Sequence, residues 1–251
     1  MADTKSYGFR KGRCAQDSCE HIFKTLSHTK SPQWVLEGDI KGCFDHISHD
    51  WLIEHIPMDK SVLKQFLKAD FIFRDELFPT DEGTPQGGII SPILANMTLD
   101  GMQKVLSDRF HTNHLGKVNL HFKNAHKVNL VHYADDFIVT AATKEIAEEA
   151  KEIIRDFLQT RGLELSEEKT LITHINDGFD MLGWTFRKFK GKLIVKPSQK
   201  SIKAFYTSLH ETVLERGKVW KQADLIRVLN RQLRGWANYH QSAVSYTHLT
   251  L

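Results

Sequence analysis

The alternation of apolar and polar residues predicts strands and amphipathic helices that follow one another closely in the first part of the chain. The run QWVLEGDI (33–40) is rich in β-forming residues and ends at an acid, which predicts a strand. A helix is predicted over SHDWLIEHI (48–56), with Ser48 at its N-cap and Pro57 after its end. Apolar residues at helical spacing in DKSVLKQFLKADF (59–71) predict a second helix.

Further along, the pattern predicts a loop, a helix and a β-hairpin. The composition of EGTPQGG (82–88) is typical of a loop. SPILANMTLDGMQKVL (91–106) predicts a helix that begins with serine at the cap and proline at the first helical position. The β-like runs KVNLVHY (127–133) and FIVTAA (137–142) flank the tripeptide ADD (134–136). These two runs predict a hairpin whose tip carries both carboxylates.

Towards the C-terminus the predicted structure changes from mixed to wholly helical. TKEIAEEAKEIIRDFLQTRG (143–162) has apolar residues at helical spacing and ends in glycine, which predicts a helix packed under the sheet. The runs KTLITHI, DMLGWTFRK and KLIVK predict further strands, and two amphipathic helices follow them. We therefore expect an α+β body followed by an α-helical region, with a boundary near Pro197.

Two adjacent carboxylates interrupt the apolar run LVHYADDFIVTAA (130–142). A buried carboxylate is costly unless a cation compensates its charge, so either the chain turns at Asp135 and Asp136 or a cation binds there. Acids are common in turns, which explains one such pair without any further function. Asp39 is a third acid at the end of a predicted strand, and two neighbouring strands would bring all three carboxylates together. Such a cluster suits Mg²⁺, and a pair of these ions can hold both reacting oxygens of a phosphoryl transfer.

Composition excludes several classes of protein and divides the chain by charge. The chain has 251 residues, of which 41% are hydrophobic, enough for a buried core. It has neither 18 consecutive uncharged apolar residues nor a secretory signal, so we expect a cytoplasmic protein without a membrane partner. Its three cysteines form no C-x-x-C pair, which disfavours a zinc site. Residues 185–251 carry 13 Lys and Arg against three acids, a net +10, whereas residues 1–184 carry 21 against 28, a net −7. The basic end favours a nucleic-acid partner or is a solvated charged face.

Six ordered blocks of sequence carry a resemblance to a known family. The blocks are SYGFRKGRC (6–14), EGDIKGCFDHISHDWL (37–52), GTPQGGIISPILAN (83–96), GLELSEEKT (162–170), MLGW (181–184) and LNRQLRGWANYH (229–240). Together with YADD after an apolar run, they resemble bacterial group II intron-encoded reverse transcriptase/maturases. The resemblance implies partial fingers at 1–32, a polymerase palm at 33–196 and a truncated helical thumb and maturase region at 197–251. It also implies a fragment, because the family's segments before SYGFR are missing and the terminal YTHLTL departs from the family.

The resemblance implies roles for four residues of the catalytic centre. Asp39 and Asp135 would bridge two Mg²⁺ ions, with Asp136 beside them as a further ligand or electrostatic support. Phe44 matches the family's steric gate, a bulky ring that leaves no room for a 2′-hydroxyl and so selects deoxynucleotides. A plain core position is the alternative for Phe44.

Other matching positions imply contacts with the nucleotide. Gln86 would contact the incoming dNTP, and Gly87 with Gly88 would let the backbone approach it closely. Lys169 would meet a phosphate, although a paired surface charge is the alternative for an exposed lysine beside two glutamates.

Basic and turn residues outside the catalytic centre match positions that contact nucleic acid in the family. Arginine suits phosphate through its forked donors, but structural pairing with acids is an equal alternative. For MLGW, the turn that steadies the primer end, the alternative is a packed hairpin. The family usually has arginine where this chain has His132. The implied nucleic-acid-binding residues are Arg10, Arg13, Gly183, Trp184, Arg231 and Arg234.

The implied function is RNA-directed DNA polymerisation by nucleotidyl transfer from a dNTP to a primer 3′-hydroxyl. The implied partners are an intron RNA template and a DNA primer or target, with further roles in intron splicing and mobility. One alternative is an intron-RNA-binding splicing cofactor whose truncated polymerase is inactive. Another is a nucleotidyl cyclase-like palm, which the absence of a GGDEF-like turn and the presence of RGWANYH disfavour. The intact Asp39, Asp135 and Asp136 favour the enzyme.

Overall fold

Strands and helices alternate in the computed structural model of the protein. The structure describes residues 2–68, 71–73, 76–78, 83–84, 88–112 and 124–250. At residues 71–73, 76–78 and 244–250 it describes the backbone alone. The helices of this described part are α1 (Ala15–Leu26), α2 (Cys43–His46), α3 (His49–His55), α4 (Lys60–Leu67), α5 (Ser91–Leu99), α6 (Met102–Phe110), α7 (Lys144–Gln159), α8 (Gln199–Glu211) and α9 (Gln222–Thr250). The strands are β1 (Trp34–Gly38), β2 (Phe71–Phe73), β3 (Glu76–Phe78), β4 (Asn129–Tyr133), β5 (Asp136–Ala141), β6 (Leu171–His174), β7 (Phe179–Met181), β8 (Trp184–Phe189) and β9 (Lys192–Pro197).

The chain divides into two units by its internal contacts. Unit 1 comprises Met1–Ser18 with Pro32–Thr173, and unit 2 comprises Cys19–Ser31 with His174–Leu251. The division of the chain into partial fingers, palm and thumb at residues 33 and 197 stays a prediction.

Unit 1 is built on a four-stranded sheet with the order β4-β5-β1-β6. β1 pairs antiparallel with β5 and ends with Gly38 opposite Phe137. β4 and β5 form the predicted hairpin, with Tyr133 opposite Asp136 at its end. The predicted strand at 33–40 and the predicted hairpin are therefore confirmed. Their register places the end of β1 next to the hairpin turn.

Side-chain caps explain where three helices of unit 1 begin. Ser48, Asp59 and Thr143 each accept hydrogen bonds from backbone amides two or three residues further along the chain. These bonds satisfy amides that have no partner within the helix, so each cap fixes a helix start. The helices predicted at 48–56, 59–71 and 143–162 are confirmed as α3, α4 and α7, with somewhat earlier ends.

The helix predicted over residues 91–106 is in fact two helices, α5 and α6. Gly101 has a φ of 103°, in the left-handed region that glycine adopts without strain, and Asp100 before it is extended with a ψ of 135°. This backbone cannot continue a helix, so the prediction of one helix was wrong. Ser91 is also not the N-cap, because the cap position is Ile90, whose side chain makes no capping bond.

The core of unit 1 lies between the sheet and helices α2 to α7. Leu36 of β1, Val139 of β5 and Leu52 of α3 belong to one continuous buried cluster. Helix α7 contacts β1 and β5 and buries Ala150 and Ile154 there, which confirms the prediction that it packs on the sheet. Burial of this apolar surface is the main stabilising contribution to the unit.

Unit 2 contains a three-stranded antiparallel sheet, β7-β8-β9, and the C-terminal helices. Helix α8 is followed by a π-helical turn (Thr212–Arg216) and a 3₁₀ turn (Gly217–Val219) before α9 begins. The buried Lys188 of β8 donates to the carbonyl oxygen of His28 at 2.8 Å and to Ser31 Oγ at 2.7 Å. These bonds attach the segment after α1 to the sheet of the same unit. The two predicted helices are confirmed.

The helices show no membrane span among the described residues, and the cysteines form no disulfide there. None of the helices that the structure describes combines the length and apolar character needed to cross a bilayer. Cys14, Cys19 and Cys43 are free thiols. Burial raises the pKa of Cys19 and of Cys43 to about 12, so both stay protonated at neutral pH and are poor nucleophiles.

Candidate active site

An open cavity of about 680 Å³ in unit 1 is lined by two of the three predicted catalytic carboxylates, Asp39 and Asp135. Asp39 directly follows β1, and Asp135 lies in the turn between β4 and β5. Phe44 of α2 and Lys169 of the loop before β6 line the same cavity. Four residues that are far apart in the sequence are therefore neighbours around one space.

The hairpin turn that carries Asp135 is held by a short segment near the N-terminus. The amide of Tyr7 donates to the carbonyl of His132 at 2.9 Å, and the amide of His132 donates to the carbonyl of Lys5 at 3.1 Å. Residues 5–7 thus run beside β4 like a further strand. Ala134 has a φ of 55°, a left-handed conformation that costs an alanine energy and that its surroundings must enforce.

Gly8 and Asn96 complete this support, and sequence reasoning missed the roles of both. A Cβ on Gly8 would lie 2.4 Å from the backbone nitrogen of Ala134, so only glycine fits against the turn. The buried amide of Asn96, on α5, donates to the carbonyl of Gly8 at 2.9 Å. A glycine between aromatic residues in SYGFR and a polar residue within the apolar run of α5 were the available signals.

Negative charge predominates in the cavity. Burial is the main cause that raises the pKa of Asp135, and the nearby charge of Asp39 raises it further. The same negative charge affects the Cys43 thiol. Burial is the main cause of its raised pKa, and the charges of Asp135, Asp45 and Asp39 raise it further. The raised pKa of Asp135 indicates a carboxylate whose charge is not fully compensated and which a bound cation would stabilise.

Lys169 supplies one positive charge at this site. Its ammonium donates to Asp39 Oδ2 at 3.0 Å, and this hydrogen bond is the main cause that raises the pKa of Lys169. The side chain of Lys169 is 68% exposed, whereas that of Asp39 is 20% exposed. The ammonium is therefore free to move to another anionic partner at little structural cost.

The loop that carries Lys169 is fixed by backbone bonds and ion pairs. The amide of Ser166 donates to the carbonyl of Asp39 at 2.9 Å, and the amide of Lys41 donates to the carbonyl of Glu164 at 3.0 Å. Glu167 accepts from Lys151 and Arg155 of α7 at 2.9 and 3.0 Å. These contacts join the loop both to the end of β1 and to the helix behind the sheet.

The donor set of the cavity fits a divalent cation. Among the described residues, no three His, Cys, Asp or Glu side chains form a group placed to hold a metal ion. Asp39 and Asp135 nevertheless present carboxylate oxygens, the ligands that Mg²⁺ prefers, to one space with surplus negative charge. Asp136 is exposed as the first residue of β5, and its charge contributes to the raised pKa of Lys169. Its role as a ligand or electrostatic support stays a prediction.

The predicted nucleotide contacts are described only in part. Phe44 is half-buried, and its ring lies nearly perpendicular to that of Phe9 with 6.4 Å between ring centres. Its carbonyl accepts from the amide of Thr84 at 2.6 Å, which joins α2 to the start of the GTPQGG block. Gln86 and Gly87 lie outside the described residues.

Arg10 and Arg13, both predicted to contact nucleic acid, make structural bonds in unit 1. Arg10 forms an ion pair with Asp100 at 2.6 Å and donates to Ser6 Oγ at 3.1 Å. Arg13 donates to the carbonyls of Thr4 and Ser6. Both side chains therefore hold the segment that supports the hairpin turn, the structural alternative left open by the sequence. Their contact with nucleic acid stays a prediction.

The predicted nucleic-acid-binding residues of unit 2 lie in a turn and on a helix. Leu182 and Gly183 form the turn between β7 and β8, and both have positive φ angles. The ring of Trp184 is fully buried and stacks on Tyr239 with 4.7 Å between ring centres. Tyr239 also donates its hydroxyl to the carbonyl of Leu182 at 2.8 Å, so α9 supports this turn.

Arg231 and Arg234 are exposed on α9. Within the part of the chain that the structure describes, neither guanidinium forms an ion pair or a side-chain hydrogen bond. A role of these residues, or of the turn at Gly183 and Trp184, in nucleic-acid binding stays a prediction.

His132, where the family usually has arginine, is fully buried under the hairpin turn. Its Nε2 lies 3.9 Å from Asp3 Oδ2, and its Nδ1 lies 3.5 Å from the carbonyl of Ala134. Burial lowers the pKa of His132 from 6.5 to about 4, against the opposing effects of the Ala134 carbonyl and of the charge of Asp100. The imidazole is therefore neutral at pH 7 and supports the turn by packing.

Acidification is expected to destabilise unit 1 through His132. Because its folded pKa is depressed, the unfolded chain takes up the proton first, so stability is lost as the pH falls from about 6.5 towards 4. Burial raises the pKa of Asp3, which acts in the opposite sense and reduces the loss. We expect the free energy of unfolding to fall by about 1–2 kcal/mol between about pH 7 and about pH 5.

Denaturant unfolding at several pH values measures this loss. His132→Gln should show a smaller pH dependence than the wild type, whereas the exposed His210→Gln on α8 should match it. An unchanged slope in His132→Gln would contradict the assignment.

Two protein families match this chain and together cover most of its length. Residues 1–186 match the family described as reverse transcriptase (RNA-dependent DNA polymerase). Residues 202–250 match the group II intron maturase-specific domain. The chain therefore belongs to the reverse transcriptase family. More particularly, it belongs to the group II intron reverse transcriptase/maturases, which confirms the resemblance carried by the six sequence blocks.

Individual relatives agree with this assignment. The group II intron-encoded protein LtrA of Lactococcus lactis subsp. cremoris is 28% identical over 97% of this chain and 54% of its own length. Protein YkfC of Escherichia coli (strain K12) is 30% identical over 72% of this chain and 54% of its own length. The chain thus spans about half the length of these curated relatives.

Solved structures confirm the fold. Telomerase from Candida tropicalis, in complex with a fragment of telomeric RNA, matches 96% of this chain and 43% of its own with a TM-score of 0.54 and 15% identity. Telomerase from Candida albicans matches 96% of this chain and 46% of its own with a TM-score of 0.54 and 14% identity. The predicted α+β reverse-transcriptase fold followed by a helical region is confirmed.

Proposed function

We propose that this chain acts as the RNA-directed DNA polymerase of a group II intron. The reaction is nucleotidyl transfer from a dNTP to the 3′-hydroxyl of a DNA primer, with intron RNA as the template. The observation that carries the proposal is the placement of Asp39 and Asp135 on one open cavity by two paired strands, β1 and β5. An acidic cavity of this kind suits chemistry in which a cation offsets phosphate charge.

In this proposal Asp39 and Asp135 would hold two Mg²⁺ ions, with Asp136 beside them. Bound there, such ions would supply activation of the attacking hydroxyl and stabilisation of charge on the leaving phosphate oxygens. The chain contributes position: the end of β1 fixes one carboxylate, and the hairpin turn fixes the other. Fixed groups need no reorganisation during the reaction, which lowers the barrier.

We assign contacts with the incoming nucleotide to the side chains beside Asp39 and Asp135. Lys169 moves from Asp39 to a phosphate of the incoming dNTP, which its exposure permits. Phe44 forms the wall against which the sugar packs, and its half-buried position on the cavity suits that role. Gln86 and Gly87 are assigned contacts with the nucleotide on the family pattern alone.

Phe44→Ala should relax the choice of sugar. A smaller side chain leaves room for a 2′-hydroxyl, so we expect the preference for dNTP over rNTP, measured as a ratio of kcat/KM values, to fall by about 10–100-fold. Phe66→Ala, which removes an exposed ring on α4, should leave the ratio unchanged. An unchanged ratio in an active Phe44→Ala enzyme would refute the gate role.

Primer extension tests the polymerase proposal directly. The 251-residue chain is incubated with an RNA template, an annealed DNA primer and dNTPs, with and without Mg²⁺. Extension that requires both the RNA template and Mg²⁺ is the expected result. A well-folded chain that binds the primer-template but adds no nucleotide would favour the splicing-cofactor alternative.

A second function, binding of intron RNA for splicing, is favoured by the C-terminal region. The match to the maturase-specific domain covers α8 from residue 202 onwards and all of α9, and Arg231 and Arg234 are exposed on α9. We propose that these arginines contact RNA phosphates. Replacing both by glutamine should weaken binding of intron RNA and reduce its salt dependence. Arg227→Gln, which removes an arginine paired with Asp224, is the matched control.

A further inference from the structure

The three-stranded sheet of unit 2 has two faces of different character. The inner face buries Trp184, Phe186, Leu193 and Val195, as expected for a sheet that packs against helices on one side. The outer face carries the exposed Arg187, Phe189, Lys192 and Lys196 and the half-buried Thr185 and Ile194. We call these six residues the outer face of the sheet.

The strand register arranges the outer face in three rungs that each contain a cation. Phe189 pairs with Lys192, Arg187 with Ile194, and Thr185 with Lys196. Successive rungs lie about 7 Å apart, because residues i and i+2 of a strand face the same side. The cations thus form a regular series along β8 and β9, at a spacing that neighbouring phosphates of an extended strand can meet.

Phe189 is the aromatic residue at the end of this series. Its side chain is 53% exposed, next to the turn formed by Lys190 and Gly191. The Lys190 ammonium lies 5.5 Å from the centre of the Phe189 ring. About half of the ring surface is therefore open to a partner outside the chain.

Acidic residues are scarce on this surface. In the three strands, the single acid is Asp180 of β7, which accepts a hydrogen bond from the Thr185 hydroxyl at the end of the sheet away from Phe189. With Lys190 at the tip, the surface carries four cations and one exposed aromatic ring; the Nε of Arg187 also donates to the carbonyl of Asn176 at 2.7 Å. Cations interleaved with an aromatic ring are typical of surfaces that bind single-stranded nucleic acid.

We propose that the outer face of this sheet binds single-stranded nucleic acid, with phosphates along the three rungs and one base stacked on Phe189. An unpaired base exposes a ring face that Phe189 can meet, which a base within a duplex does not. The choice of nucleic acid as the partner rests on the proposed function, but the proposed surface includes no residue of the catalytic cavity. We therefore expect Asp135→Asn to lose polymerase activity and still bind single strands at this surface as the wild type does.

Fluorescence anisotropy with short labelled oligo(dT) and oligo(rU), and with a duplex of the same length, tests the proposal. The face variant replaces Lys190, Lys192 and Lys196 by glutamine. The control variant replaces Lys24, Lys104 and Lys144 by glutamine, which removes the same charge from lysines paired with acids on their own helices. Phe189→Leu removes the aromatic ring while retaining apolar bulk.

We expect the face variant to bind single strands at least about tenfold more weakly than the control variant. The slope of log affinity against log salt should fall by about 2, since each lost phosphate contact removes about 0.7. Phe189→Leu should cost about fivefold or more for single strands. When one base of the oligonucleotide is replaced by 5-iodouracil, we expect irradiation to cross-link that base to Phe189.

Two results would overturn the proposal. One is a face variant that binds single strands as tightly as the control variant. The other is an equal loss for duplex and single strand in every variant, which would make the surface a general site for polyanions, including acidic proteins and anionic lipids. Thermal unfolding of each variant, expected to match the wild type because the changed residues are exposed, ensures that a loss reports on binding.

Discussion

Asp135→Asn is expected to reduce Mg²⁺-dependent primer extension by about 10²–10³-fold or more. An amide is a poorer ligand for Mg²⁺ than a carboxylate and adds no negative charge to the cavity. The substitution should not destabilise the folded protein, because burial and the charge of Asp39 already raise the pKa of Asp135 and make its ionised form costly. We therefore expect a free energy of unfolding at pH 7 equal to or above that of the wild type.

The measurement is single-turnover extension at saturating dNTP, together with denaturant unfolding of each protein. Asp45→Asn is the matched control, since Asp45 lines the same cavity but does not lie in the hairpin turn. Its rate should remain within about a few-fold of the wild type. A rate near wild type in Asp135→Asn would contradict the assignment, and an equal loss in Asp45→Asn would indicate a general charge effect.

The elements that position the site were predictable because short-range patterns specify them. The acid at the end of the β-rich run 33–40 directly follows β1, and the ADD tripeptide lies where β4 meets β5. Both follow from local alternation and turn composition. The approach of Asp39 to Asp135 depends on β1 pairing with β5, which the sequence allowed but could not specify.

The features that sequence reasoning missed depend on contacts between distant parts of the chain. The break between α5 and α6 occurs at Gly101, within an apolar pattern that continues without interruption on both sides. The structure pairs Arg10 with Asp100, ninety residues away. Hydrophobic periodicity carries no information on which arginine meets which acid, so this ion pair could not be predicted from the sequence, and the predicted contact of Arg10 with nucleic acid stays a prediction.

Gly8→Ala is expected to lower the extension rate by about 10²-fold, the effect of moving a catalytic group by about 1 Å. The added Cβ would lie 2.4 Å from the nitrogen and 3.1 Å from the Cα of Ala134, and both are backbone atoms that cannot rotate away. The hairpin turn must then shift, and Asp135 shifts with it. The same overpacking should cost about 1–3 kcal/mol of stability.

If Gly8→Ala lowers the extension rate by more than it lowers the fraction of folded protein, then Gly8 positions the hairpin turn. Gly235→Ala on α9 is the matched control, because no atom lies within 4 Å of its added Cβ and alanine favours a helix. That variant should keep the wild-type extension rate and gain about 0.5–1 kcal/mol. Rates are compared at a temperature where denaturant curves show every protein to be folded, so unfolding cannot account for the difference. Full activity in Gly8→Ala would mean that the segment beside β4 moves instead of the turn, and that the N-terminal segment does not position Asp135.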